Sequence, residues 1–235
     1  MDTLIKMIYS PVKAFRELKN AKKFPLMSLI VLLTVVIINN ILFVPVTTKV
    51  MELTFSSMSI PVSDEHIETT MNMLYKMRYL QVAGAVFTYI FTLTVYTLII
   101  WIFTKIAKQA LSFQKTFELI VHCCFVIAIG MLVNTFILYA HGIENIESIY
   151  EVSLTGLNLF TSVENAGVTF YSFLAYINPF YVWFLVLLTL GLAILAEMKF
   201  NKAFIISFLF WVIIIAFPVI TLYFSQALMK SKGLM

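Results

Sequence analysis

Five long apolar runs, none with a Lys, Arg, Asp or Glu deep inside it, leave this chain few folds to adopt. They extend about from Pro25 to Val44, Tyr79 to Phe103, Phe117 to Ala140, Pro179 to Ala196 and Ala203 to Phe224. Each approaches the roughly 20 residues that a helix needs to cross a bilayer. Helices hydrophobic on all sides belong where lipid is the solvent, because a helix satisfies its own backbone there. The alternation of a membrane β-barrel strand is absent. Of the 235 residues, 61% are hydrophobic and 12% charged, and a water-soluble core of this length could not bury so much apolar side chain. The fold class expected is all-α, a polytopic membrane protein with five transmembrane helices plus short interfacial amphipathic helices. The first run is preceded by 24 residues and followed by no small-x-small site, so it reads as a retained span rather than a signal peptide.

The charges divide by sign. Eleven of the sixteen Lys and Arg fall in residues 1–24 and in the second-to-third and fourth-to-fifth connections. They include Lys6, Lys13, Arg16, Lys19, Lys22, Lys23, Lys105, Lys108, Lys115, Lys199 and Lys202. The positive-inside bias then places the N-terminus in the cytosol and residues 225–235 outside. Glu52, Asp64, Glu65, Glu68, Glu144, Glu147, Glu151 and Glu164 fall in the outer connections. A basic inner rim suits anionic headgroups; no basic stripe with interleaved aromatics points to nucleic acid. The expected organisation is an amphipathic cytosolic segment (1–24), a single membrane domain (25–224) and a short tail.

The connections carry helical signals. Ser10-Pro11 is a cap followed by proline at the first helical position, and Val12 and Phe15 share a side flanked by Lys13 and Arg16. That pattern predicts a cationic helix lying on the inner leaflet. After a turn at Ile60-Pro61-Val62-Ser63, Ile67, Met71, Leu74 and Tyr75 recur at helical spacing, predicting a helix able to run into the second span. Glu144, Glu147 and Glu151 line one face of residues 143–160 and Ile143, Ile146, Tyr150, Leu154 and Leu157 another, predicting a second interfacial helix. Residues 162–167 read as a break, and Asn178-Pro179 as the start of the fourth helix. Lys115-Thr116-Phe117 and Lys202-Ala203-Phe204 open the third and fifth spans alike, a similarity short enough to arise by chance.

Polar candidates within the spans are few. Glu118 and His122 share a helix face beside Cys123 and Cys124, and carboxylate, imidazole and thiolate are transition-metal ligands. Glu118, His122 and Cys123 are the candidate ligands, although one helix rarely supplies a whole site and structural packing explains them as well. Asn39, Asn40 and Asn134 are expected to pair across helices. Pro218 removes a backbone hydrogen bond inside the fifth span. Gly84, Gly130 and Gly191 are isolated and form no small-x-x-x-small pair with another glycine, so the sequence allows tight helix contact there without supporting it. The outer acids with His66 read as a solvated face rather than a cation site. Neither H-E-x-x-H, G-x-S-x-G nor a Walker loop occurs, and no carboxylate pair or arginine sits in a span. No catalytic residue, metal or cofactor is therefore assigned.

A set of motifs points to a family. The segment Ser10-Pro11-Val12-Lys13-Ala14-Phe15-Arg16-Glu17-Leu18 precedes a proline-led first span at Pro25. Later, Asn178-Pro179-Phe180-Tyr181-Val182-Trp183 opens the fourth span, Gly191-Leu192 ends its apolar middle, and Lys202-Ala203-Phe204 starts the fifth. On these residues the chain resembles, over nearly its whole length, the YIP (Ypt-interacting-protein) integral membrane family. The resemblance implies a five-helix membrane unit with a cytosolic N-terminus and a C-terminus on the far side. It also implies structural roles for Ser10, Pro11, Phe15, Asn178, Pro179, Phe180, Trp183, Gly191, Lys202 and Phe204. Eukaryotic members carry a long N-terminal extension that has no counterpart in these 24 residues, and His122-Cys123-Cys124 stands where many members have a tyrosine-containing segment. The short form resembles bacterial members, and Rab-GTPase binding is not carried over. The function expected is a non-enzymatic scaffold or accessory protein of the cell membrane, its partners the lipid bilayer, other membrane proteins and a second copy of itself. The alternative is a small channel or transporter, or a membrane subunit of a larger transport system.

Overall fold

A computed structural model describes residues 2–21, 25–57, 64–109, 111–146 and 152–231. Among them the chain is all-α: α1 (Asp2–Tyr9), α2 (Pro11–Asn20), α3 (Leu26–Ser57), α4 (Asp64–Ile106), α5 (Phe113–His141), α6 (Val163–Ala166), α7 (Val168–Tyr176), α8 (Pro179–Leu195) and α9 (Phe200–Ser231). Stretches of α3, α4, α5 and α9 are each long and apolar enough to cross a membrane. A fifth span follows if α7 and α8, parted at Ile177-Asn178, count as one. The turn at residues 60–63, Lys22, Lys23, Glu147, Tyr150 and Glu151 lie outside the described residues, as do the side chains of residues 64–68, Met71, Leu74, Tyr75 and Arg78.

The helices outlast the apolar runs that announce them. α3 continues through Pro45 to Ser57. Proline deprives the Ile41 carbonyl of its usual donor, and at the next residue the Tyr139 hydroxyl donates to the Leu42 carbonyl at 2.8 Å. Thr47, Thr48 and Thr54 satisfy their hydroxyls on carbonyls four residues back, so polar residues continue the helix. α4 runs unbroken from Asp64 into the second span. α9 likewise passes Pro218 without interruption.

The chain divides into two compact units. The first comprises Met1–Val36, Phe87–Gly130 and Pro179–Ile215. Its core joins Phe15, Leu119, Ile120, Phe184, Leu187 and Phe210, all fully buried. Here the N-terminal expectation needs correction. Ser10 stands at the N-cap position of α2 without a side-chain cap hydrogen bond, and Pro11 is at the first position, but α2 packs against α8 rather than presenting Val12 and Phe15 together to a leaflet. Phe15, Ala14 and Leu18 are buried, with Leu4 and Met7 of α1, while Val12 is exposed. The pairing of Val12 with Phe15 was an approximation to the helical period; the buried stripe runs at Ala14, Phe15 and Leu18, and protein rather than lipid covers it.

The second unit comprises Ile37–Val86, Met131–Asn178 and Ala216–Met235. The described part of residues 143–160, which excludes 147–151, does not form the expected helix. Among the described residues they give two single 3-10 turns, Ile143–Asn145 and Leu157–Phe160. Side chains and backbone from elsewhere take the hydrogen bonds that a helix would use. Asn134 donates to the Val152 carbonyl at 2.8 Å and accepts from the Leu154 amide at 2.7 Å. The Leu157 amide bonds the Ile177 carbonyl at 3.1 Å. Gly156 is extended and passes so close to Ala175 that a Cβ would stand 2.6 Å from its carbonyl oxygen. Tertiary bonding overrides amphipathic periodicity at this connection. The break at residues 162–167 holds one short helix, capped by Ser162 and ended at Gly167, whose φ of 73° suits glycine.

Candidate functional site

The polar groups of the first unit gather where α2 ends. A helix leaves its last carbonyls without partners and carries partial negative charge there. Lys115, in the first turn of α5, donates to the Leu18 and Ala21 carbonyls at 2.6 Å each and to Glu118 Oε2 at 2.8 Å. The Glu118 side chain is only 3% exposed, so this ammonium is its neutralising partner. One turn further, His122 Nδ1 lies 2.7 Å from the Glu118 carbonyl and Nε2 3.1 Å from Ser28 Oγ of α3. A carbonyl only accepts, so Nδ1 carries the proton and, in the neutral ring, Nε2 accepts from Ser28. Lys115, Glu118, His122 and Ser28 thus tie α2, α5 and α3 together.

Cys123 and Cys124 are buried free thiols, and Tyr89 donates to the Cys124 carbonyl at 3.4 Å. Of the three residues weighed as metal ligands, Glu118 points to Lys115, His122 to Ser28, and Cys123 into the apolar core. No group of three or more metal-ligating His, Cys, Asp or Glu side chains forms among the described residues.

Other lysines repeat the capping role. Lys202, opening α9, donates to the Ala107 carbonyl at the end of α4. The Lys-x-Phe steps at Lys115 and Lys202 therefore do the same work, each holding the C-terminus of another helix. Lys108 and Glu197, which follow α4 and α8, both adopt left-handed backbone, at φ 57° and 52°. Lys19 binds Glu197 at 2.6 Å, and this hydrogen bond holds the exposed Glu197 carboxyl below its ordinary value. Lys6 grips both oxygens of Glu17, at 2.8 and 3.0 Å, joining α1 to α2. Lys105 lies 5.5 Å over the Trp101 ring.

Two glycines make the close helix contacts that the sequence allowed without supporting. A Cβ on Gly130 would stand 2.5 Å from Cγ of Phe180. One on Gly191 would strike Leu119 Cδ1 and come within 3.0 Å of the Phe15 ring. Two motif residues thus meet in space, Phe15 of α2 seating on Gly191 of α8, and a third, Phe180, seats on Gly130 of α5. The remaining motif residues serve helix ends and packing. Asn178 donates to the Ala175 carbonyl at 3.0 Å, Trp183 packs on the core, and Phe204 stacks on Phe208.

The family model of the Yip1 domain matches residues 5–221. The chain belongs to the Yip1 domain family. No curated protein and no solved structure matches it. Membership and the apolar helices make this Yip1-domain chain an integral, multi-pass membrane protein in contact with the lipid bilayer. Residues 5–221 include Phe15 and Gly191, where α2 packs on α8. Sequence reasoning missed the Lys115 cap and the two glycine seats. The available signals were a lysine in the first turn of a span and single glycines among large residues, at Gly191 between Leu190 and Leu192.

Proposed function

We propose that this protein is a non-enzymatic scaffold or accessory protein of the cell membrane, acting on membrane-protein partners through its spans. Its N-terminus lies in the cytosol and its C-terminus outside, as the lysine distribution favours. The observation that carries the reading is unequal enclosure of the spans. In the most apolar stretch of α5, 56% of the residues are buried, against 22% in α3 and 17% in α4. Meanwhile Lys115, Glu118, His122 and Asn134 are committed to bonds between parts of the fold. Two long helices are thus left to face lipid, another membrane protein or a second copy, while the groups able to do chemistry hold structure. Mild crosslinking in native membranes followed by purification is expected to recover a specific membrane protein bound through α3 or α4. Recovery of lipid alone across several detergents overturns the proposal.

A second reading, a small channel or transporter, is favoured by the interruption at Ile177-Asn178, since discontinuous helices are a device of solute pathways. Purified protein in liposomes is then expected to pass ions or metabolites above empty vesicles. Flux no greater than in empty vesicles removes it.

A further inference from the structure

The first unit leaves an apolar face uncovered on α1. Ile5, Ile8 and Tyr9 stand at i, i+3 and i+4, one side of the helix. Ile5 and Ile8 are half exposed and Tyr9 is two-thirds exposed. On the other side, Leu4 and Met7 are buried in the same core as Phe15, and Lys6 grips Glu17 of α2. The inner face of α1 is thus fixed to the fold while the outer face has no cover.

The depth of α1 follows from what α2 touches. α5 has 29 residues, about 43 Å at the helical rise, which matches the roughly 40–45 Å of a bilayer with its headgroups. Phe15 and Leu119 meet at Gly191. Gly191 lies four residues before α8 ends, and Leu119 six residues after α5 begins. The contact therefore lies roughly 6–9 Å inside the helix ends, where hydrocarbon gives way to headgroups. α1 comes immediately before α2 and is bound to it, so it shares that level.

Size and charge choose the occupant. Three side chains offer far less than the roughly 800 Å² that each partner gives to a standard protein interface; a leaflet needs no such area. Lys6 is paired with Glu17 and Lys19 with Glu197. Lys13 and Arg16 are exposed on α2 and make no such pair among the described residues. Apolar side chains with a tyrosine, flanked by exposed cations, are what a helix lying in an anionic interface presents.

We infer that the outer face of α1 is a lipid-binding surface. Ile5, Ile8 and Tyr9 enter the acyl boundary of the leaflet at their own end of the bundle, and Lys13 and Arg16 rest on its anionic headgroups. α2, whose apolar stripe is spent on protein, is the mount. The contact holds whichever side of the membrane the N-terminus occupies.

The test uses the full-length protein with a nitroxide at Ile8→Cys or Lys13→Cys, in nanodiscs of phosphatidylcholine with or without phosphatidylglycerol. Cys123 and Cys124 are buried, so the unaltered protein supplies the blank. Power saturation is expected to show the label at position 8 open to oxygen and shielded from a water-soluble nickel chelate, and the label at position 13 open to the chelate. A label at position 8 open to the chelate overturns the inference. Shielding from both reagents overturns it too, since protein, a second copy included, then covers the face. Melting curves show that each variant is folded; should Ile8→Cys not fold, Ile5→Cys takes its place. Hydrogen exchange reads the headgroups. Phosphatidylglycerol is expected to raise the protection of residues 2–9 about fivefold, the factor that one basic residue supplies at an anionic surface. Lys13→Gln with Arg16→Gln is expected to remove that gain. Equal protection in the two lipid mixtures, or a gain that survives the double variant, overturns the inference.

Discussion

Lys115 satisfies three acceptors with one ammonium group, and it sits beside a carboxylate that has almost no access to solvent. Removing one partner of a buried pair costs far more than removing both, because the survivor stays charged and unsatisfied. Lys115→Met is therefore expected to destabilise the protein by about 3 kcal/mol, read as a lowered melting temperature in detergent. Lys115→Met with Glu118→Gln should recover more than half of that loss, since the buried charge is gone. Equal melting of the single and double variants would refute the pairing. At the surface, Lys19 and Glu197 behave differently. The carboxyl's value is lowered in the folded state, so the pair contributes stability above the ordinary glutamate range and loses it as pH falls through the lowered value. Hydrogen-exchange protection factors of residues 11–20, corrected for the intrinsic pH dependence of exchange, should fall on acidification across that window and stay level in a Glu197→Gln control. The difference should shrink in high salt, as exposed pairs are screened.

Among the elements, the long helices were legible in the sequence because apolar residues occur there without interruption. The places where sequence and structure part are those where something distant in the chain decides. Residues 143–160 carry a helical pattern, yet Asn134 and Ala175 dictate the path of the stretch that follows Val152. Residues 11–20 carry an amphipathic pattern that does not say whether lipid or protein covers the apolar stripe; Gly191 decides that by giving Phe15 a seat. A bulky residue at position 191 makes a sharp test. Gly191→Leu collides with Leu119 and Phe15, and overpacking costs about 1–3 kcal/mol. Rather than unfolding the spans, it should release α2 from α8. Limited proteolysis is expected to cut after Arg16 or Lys19 in the variant while the rest of the chain stays protease-resistant. Unchanged resistance of residues 11–20 would show that α2 is held elsewhere.

For the whole molecule, the open question is one of parity. α3, α4, α5 and α9 each hold a stretch long enough to cross alone, which is an even number. Whether the termini lie on the same side or on opposite sides depends on α7 and α8, two apolar helices parted by Ile177 and Asn178. If they cross together the count is five and the termini are separated; if they enter and return on one side, the termini are together. The charge distribution speaks for separation, because the lysines at Lys115 and Lys202 cap helix ends in the same unit as the N-terminal helices. The two native cysteines are buried, which permits a direct measurement with a membrane-impermeant maleimide. In intact cells, Ser231→Cys is expected to be labelled and Lys13→Cys protected until the membrane is opened. Labelling of both, or of neither, would leave four crossings and make α7 and α8 a re-entrant pair. That outcome would remove the basis for placing the C-terminus outside, and it would overturn the α2–α8 junction as well, because a returning α7–α8 pair leaves Gly191 and Lys202 on the side opposite Phe15 and Ala107.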